Sequence, residues 1–199
     1  MSDRFQRMRE RYLTGEIPWD HPDPPPEIIA LSQELPPGRA IDLGCGTGRA
    51  CVWLARAGWQ VDGVDFVPEA IAIAQERVAA AGVGDQVRLF VADATNLAFL
   101  NEPYDLAIDV GCGHGFSEPE LYAYLDEVRR LLKPGGLFTF FVHLSDATKP
   151  DAQMLKTRVD QNLLMAALQE RFIIEQFIPG ETVVMGQRGP SAWIYLRRP

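Results

Sequence analysis

The run Ile41-Asp42-Leu43 passes directly into Gly44-Cys45-Gly46-Thr47-Gly48, and this transition constrains the chain more than any other feature. A short β-prone segment followed by glycines at alternate positions reads as a strand entering a tight turn. The missing side chains permit positive φ and allow another group to approach the backbone closely. The next stretch, residues 49–57, carries Cys51, Val52, Leu54 and Ala55 at helical spacing and stops at Gly58, so the predicted order is strand, glycine turn, buried helix. Two readings stay open at this point: a cradle for a ligand, or a strand-to-helix turn with none.

The same alternation recurs along the chain. The β-prone run of residues 59–66 precedes a helical stretch in which Pro68 suits the first turn and Gly82 the C-terminal cap. Residues 86–94 and 104–110 are further strand-like runs, residues 118–132 form an amphipathic segment closed by Lys133-Pro134-Gly135-Gly136, and residues 137–144 are strongly β-prone. A helical stretch is expected from about residue 152 to 170, followed by two strand-like runs, 172–177 and 191–196, that pair antiparallel. Five strands alternating with helices predict an α/β, doubly wound, mostly parallel sheet. The proline-rich stretch of residues 21–26 fixes φ and removes donors, so residues 1–38 are expected as an N-terminal arm or lid and 39–199 as the main domain.

Charge narrows the partners. With 19 Lys plus Arg against 27 Asp plus Glu, the net charge of −8 makes a phosphate backbone a poor partner. The 3 cysteines, Cys45, Cys51 and Cys112, are an odd number without a CxxC pair, which disfavours a disulfide scaffold and a structural metal site. No metal is expected, and a reducing, cytoplasmic setting is. The first twenty residues carry charges throughout and lack the apolar stretch of a signal sequence or membrane span.

Asp65 ends the second strand 21 residues after Gly44, where a carboxylate can accept from both hydroxyls of a ribose. With this residue in place, residues 40–144 resemble the class I S-adenosylmethionine-dependent methyltransferases. The resemblance implies a seven-stranded Rossmann-like sheet with an antiparallel C-terminal strand, S-adenosylmethionine as cofactor and S-adenosylhomocysteine as its product. It implies that Asp42 reaches the methionine end while the backbone at Gly44, Cys45 and Gly46 cradles it, that Asp65 holds the ribose, and that Phe66, Asp93 and Ala94 meet the adenine. A nicotinamide-dependent oxidoreductase would share the sheet and the ribose acid, but its fingerprint is GxGxxG, whereas this turn is GxGxG followed by Arg49.

The acceptor is addressed by the run Asp109-Val110-Gly111-Cys112-Gly113-His114-Gly115, expected at the C-terminal end of the fourth strand. Family members that methylate exocyclic amines of bases or the glutamine amide resemble one another in an Asn/Asp-Pro-Pro-aromatic run at this place; none occurs here, which argues against those substrates. The pattern resembles small-molecule methyltransferases related to the thiopurine and tellurite enzymes, although Val110 stands where a basic residue is usual. The segment from Arg11 to Asp20, with Tyr12 and Trp19, resembles the aromatic stretch that folds over the cofactor in that branch. The resemblance thus implies methyl transfer to a small-molecule S, Se/Te, halide, O or N nucleophile, with Trp19 and Asp109 bordering the methyl group. His114 is read either as a general base or as a wall residue that orients its loop. A non-catalytic cofactor-binding module on the same scaffold is the alternative from another class.

Overall fold

The computed structural model describes residues 3–145, 158–184 and 187–199. The chain divides into two compact units, Met1–Ala94 and Thr95–Pro199. Among the described residues no helix is long and apolar enough to cross a membrane.

The N-terminal unit opens with α1 (Asp3–Thr14) and α2 (Pro26–Glu34), followed by β1 (Arg39–Leu43), α3 (Arg49–Arg56), β2 (Gln60–Asp65), α4 (Pro68–Ala81) and β3 (Val87–Val91). Strand β2 pairs in parallel with β1 on one side and β3 on the other, with Asp42 opposite Gly63 and Asp65 opposite Val91. Near-continuous burial along β1 and β2 is the pattern of parallel strands covered on both faces. The predicted caps of α4 are present: Pro68 occupies the first turn and Gly82, at φ 68°, closes the helix. The proline-rich stretch is more structured than its composition suggests. Pro26 begins α2, because a residue without an N–H is tolerated where that N–H lacks an intrahelical acceptor.

One charged cluster stabilises this half of the sheet. Asp62, buried within β2, accepts from Arg88 Nε and Nη2, each at 2.7 Å, and from Arg39 Nη2 at 3.2 Å. A buried carboxylate is tolerated when guanidinium groups compensate it.

The C-terminal unit contains β4 (Tyr104–Val110), a short 3-10 turn (Gly113–Gly115), α5 (Glu118–Leu131), β5 (Leu132–His143), α6 (Gln161–Gln169), β6 (Ile173–Val184) and β7 (Gln187–Arg197). Helix α5 starts with a capping box in which Ser117 and Glu120 satisfy each other's end of the first turn. Its apolar face, with Leu121, Tyr124, Leu125 and Val128, is buried. Phe138 and Phe140 of β5 stack at 5.1 Å, and Tyr124 and Phe172 pack around them. Strand β5 is parallel to β4, while β7 is antiparallel to both β5 and β6. The strand order is β3-β2-β1-β4-β5-β7-β6, a mostly parallel, seven-stranded Rossmann-like sheet with the antiparallel C-terminal strand expected from the sequence. The helix expected from residue 152 is shorter in its described part: α6 begins at Gln161 behind the Asp160 cap, Val159 instead forms an isolated bridge with Leu144, and residues 152–157 lie outside the described residues.

Gly63 is the most closely packed of the described glycines in the N-terminal unit. A Cβ there would lie 2.7 Å from Leu89 Cδ2 and 2.8 Å from Cys51 Sγ. Gly63→Ala is expected to destabilise the fold by about 1–3 kcal/mol in urea denaturation. Gly84→Ala, whose Cβ meets nothing within 4 Å, is expected to change stability by less than about 0.5 kcal/mol.

Candidate active site

The glycine turn uses its own amides internally. Gly44 and Cys45 both donate to the Val64 carbonyl, at 2.8 and 2.9 Å, and Gly46 donates to Asp65 Oδ2 at 3.0 Å. Gly44, Gly46 and Gly48 all have positive φ, between 55° and 76°, which L side chains adopt only with strain. Gly48 has a second constraint: a Cβ would meet Ala74 Cβ of α4 at 2.9 Å. The turn therefore presents bare backbone at the end of β1, with its amide dipoles anchored on β2.

Asp65 is the hub of this arrangement. Its Oδ1 accepts from the Val67 amide at 2.9 Å and its Oδ2 from Gly46, and the side chain is buried. Burial pushes the carboxyl up to about 6, although the amide bonds oppose that shift. The Phe66 amide is a further donor, and of the about four lone-pair sites that a carboxylate offers, capacity remains for a ribose hydroxyl. Asp42 provides a second buried carboxylate at the end of β1 and accepts from the Cys51 thiol at 3.3 Å. Cys45, also buried, brings its sulfur to the same side of Gly63 as Cys51.

Around these groups lie the remaining sequence-predicted residues of the unit. Ala92 donates to the Asp65 carbonyl at 3.0 Å, so Asp93 and Ala94 leave β3 beside the end of β2, with Asp93 exposed and Ala94 buried. Phe66 is half-buried, edge-on to Phe5 at 5.8 Å and beneath the Arg4 guanidinium.

The N-terminal segment is seated on this cluster. Tyr12 is buried against Val67 and Ala70, with Met8, Ile17, Trp19, Phe66 and Ile73 packed around it. Its hydroxyl lies 3.2 Å from where a Cβ on Gly46 would stand. Burial and the Asp65 charge raise the phenol well above its ordinary value, so it remains neutral. Trp19 packs edge-on to Tyr12 at 6.2 Å. The following residue forms a clamp that motif reading did not isolate. Asp20 Oδ1 accepts from Thr47 Oγ1 at 2.6 Å, Asp20 Oδ2 accepts from Arg77 Nη2 at 3.0 Å, and Arg77 Nη1 also donates to Thr47 at 2.8 Å. Arg77 lies 57 residues from Asp20 in sequence, and on α4 it reads from the sequence as an ordinary surface cation.

Asp109 and His114 come together in the C-terminal unit. Asp109, expected to border the methyl group, is fully buried at the end of β4. It accepts from the Cys112 amide at 2.6 Å, the Gly113 amide at 2.9 Å and the Tyr124 hydroxyl at 2.6 Å. Desolvation pushes its carboxyl up to about 6. Both oxygens are thus committed to shaping the turn that carries His114, and Tyr124 is a partner the motif did not reveal. Gly111, at φ 92°, has the His114 ring 3.3 Å from its would-be Cβ. The His114 ring meets His143 edge-on at 4.6 Å, and its buried Nδ1 has no hydrogen-bond partner among the described residues. Desolvation, with repulsion from His143 and Arg158, lowers the imidazole to about 3. His143, at the end of β5, shares a 2.9 Å hydrogen bond between Nδ1 and Thr182 Oγ1.

Comparison with known proteins finds relatives of this sequence and fold among methyltransferases. The methyltransferase domain family matches residues 40–136. Norajmaline N-methyltransferase of Rauvolfia serpentina is 28% identical over 140 residues, 66% of this chain and 47% of the relative. The 2-heptyl-1-hydroxyquinolin-4(1H)-one methyltransferase of Mycobacteroides abscessus is 29% identical over 160 residues, 76% of this chain and 70% of that protein. The N-methyltransferase NodS of Bradyrhizobium japonicum, solved with S-adenosylhomocysteine, shares the fold at a TM-score of 0.80 and 18% identity, over 100% of both chains. The chain spans 38% to 47% of the length of several curated relatives it matches.

The clamp defines what holds the N-terminal segment. Asp20→Ala is expected to raise amide exchange across α1 several-fold while leaving β2 amides protected, read by hydrogen–deuterium exchange. The global loss of stability is expected to stay near 1 kcal/mol, because the ion pair is partly solvated.

Proposed function

We propose that the chain is a class I S-adenosylmethionine-dependent methyltransferase and that its reaction is transfer of the sulfonium methyl group to a small-molecule nucleophile. The observation that carries this reading is Asp65, a buried carboxylate fixed by the Gly46 and Val67 amides beside a bare glycine turn. The residues fit the cofactor. Asp42 and Asp65 supply two buried carboxylates for a molecule bearing ammonium, sulfonium and a ribose diol, and the glycines leave the turn without side chains. When bound, S-adenosylmethionine supplies a methyl group whose C–S bonding pair leaves with sulfur, giving S-adenosylhomocysteine.

In this reading Asp42 and the backbone at Gly44, Cys45 and Gly46 hold the methionine end, Asp65 the ribose, and Phe66, Asp93 and Ala94 the adenine. Trp19 covers the cofactor, held in position by Tyr12 and by the bonds of Asp20 to Thr47 and Arg77. That aromatic segment is also what supports the thiopurine and tellurite branch. Asp109 acts at one remove, by fixing the turn from Gly111 to His114.

His114 remains neutral throughout the physiological range, and an imidazole lowered to about 3 removes protons poorly. Its open Nδ1 accepts a hydrogen bond, so its contribution is to orient an N–H, O–H or S–H acceptor, with alignment supplying much of the rate. The acidic balance and the absence of an Asn/Asp-Pro-Pro-aromatic run support a small-molecule acceptor over nucleic acid, and the cysteine usage supports a cytoplasmic site of action.

Calorimetric titration with S-adenosylhomocysteine, with NAD in parallel, tests the assignment: binding of the former alone is expected, and binding of NAD alone overturns it. Asp65→Asn removes one acceptor at the diol and is expected to weaken that binding by about 10- to 100-fold. In the wild type, Asp65 accepts best when ionised and gains a proton as pH falls through about 6. Affinity is therefore expected to be level above that pH and to drop by up to about tenfold per unit below it. His114→Phe is expected to raise KM for an N–H or O–H acceptor without changing the shape of the pH–rate profile between pH 5 and 8. Loss of a limb of that profile identifies a general base instead.

A further inference from the structure

Arg158 is buried, only 6% exposed, yet no carboxylate among the described residues faces it. Its Nη1 donates to the carbonyls of Leu144 and Pro190, both at 3.2 Å. Nε and Nη2 have no acceptor among the described residues. Two carbonyl bonds satisfy part of the guanidinium's hydrogen-bonding capacity, and no carboxylate among the described residues neutralises its charge, so the group can take an anionic partner.

The position of this cation is set by backbone pairing. Val159 donates to the His143 carbonyl at 3.0 Å and accepts from Ser145 at 2.8 Å, placing Arg158 alongside the end of β5. On its other side the guanidinium lies against Gly189, where any Cβ would collide with it. Gly189 pairs with Thr182 across the β6–β7 hairpin, Thr182 bonds His143, and His143 packs on His114. A continuous chain of contacts thus joins the uncompensated guanidinium to the unpartnered Nδ1 of His114. The acidic side chain nearest along this hairpin, Glu181, is exposed and pairs with Arg188.

The geometry points to an acceptor that carries an anionic oxygen group, a carboxylate or an oxyanion of similar size, bound by Arg158 while its nucleophilic N–H, O–H or S–H donates to His114. This inference rests on the methyl-transfer reading for its role in the reaction, but the anion site itself does not. Both imidazoles are held neutral partly by the Arg158 charge, so an anion seated there neutralises that field and favours their protonation.

The chain has 3 histidines, which allows a direct readout from imidazole C–H resonances. Full-length protein saturated with S-adenosylhomocysteine is titrated with benzoate and 2-mercaptobenzoate, and with benzamide as the neutral control. Saturable shifts of the His114 and His143 signals with both carboxylates are expected, with no shift of His21 and at least tenfold weaker response to benzamide. Arg158→Gln is expected to weaken the carboxylate response at least tenfold, and Arg158→Lys to keep it within about threefold. Equal responses to carboxylate and amide, no response to either, or an unchanged response in Arg158→Gln overturns the inference. If Arg158→Gln does not fold by circular dichroism, the wild-type carboxylate–amide comparison and Arg158→Lys decide. Failure to bind S-adenosylhomocysteine removes the methyl-transfer reading alone, since carboxylate shifts in the same sample still report the anion site.

Discussion

The pair of hydrogen bonds from the Gly46 and Val67 amides to Asp65 is the constraint on which the N-terminal unit is organised. One carboxylate fixes the glycine turn that follows β1 and the entry into α4 that follows β2. These are the two connections at which a nucleoside would meet backbone. Because Gly44 and Cys45 anchor on the neighbouring Val64 carbonyl, the turn cannot relax away from β2 without losing several bonds together. Burial makes those bonds stronger and their loss more costly. The site is thus pre-shaped by the sheet, which reduces the ordering that a ligand must impose.

The C-terminal unit repeats the device with a different purpose. Asp109, like Asp65, sits at a strand end, is desolvated, and accepts from the backbone that follows it. Here the Tyr124 hydroxyl joins the backbone amides as a side-chain donor, so the result is a rigid turn rather than an open carboxylate. The difference between the two aspartates lies in that side-chain donor. Tyr124, anchored in the aromatic core with Phe138 and Phe140, makes Asp109 a structural group, while the turn it fixes carries His114, whose buried Nδ1 has no partner among the described residues.

The elements around the glycine turn were legible because their signals are local: alternating apolar runs, a proline at a helix start, a glycine at its end. Residues 49–57 and 68–82 were read as helices from such cues, and α3 and α4 occupy those stretches. What stayed hidden depends on distant partners. Arg77 reads as a surface cation until Asp20 is placed opposite it, and Arg158 reads as a polar residue in a helical stretch until β5 and the β6–β7 hairpin enclose it. Asp109 could be assigned to the end of β4, but its donors include a tyrosine 15 residues away, and no spacing rule in this sequence points to that hydroxyl. Helix α2 was missed for a different reason: a proline cluster favours extended chain, and only its last member acts as a helix initiator.

The two thiols beside Gly63 give the turn a chemical clock. Cys45 and Cys51 are buried and share a hydrogen bond that raises Cys51 and lowers Cys45, while desolvation and the nearby Asp42 charge raise both, leaving each above the ordinary thiol value, so in the closed fold neither forms the thiolate that alkylating reagents require. Cys112, partly exposed on the other unit, serves as an internal reference for reagent access. The rate at which iodoacetamide reaches the first pair relative to the third therefore measures how often the glycine turn opens, and a ligand that rests on that turn registers as a slowing of the clock even when it produces no spectral change of its own.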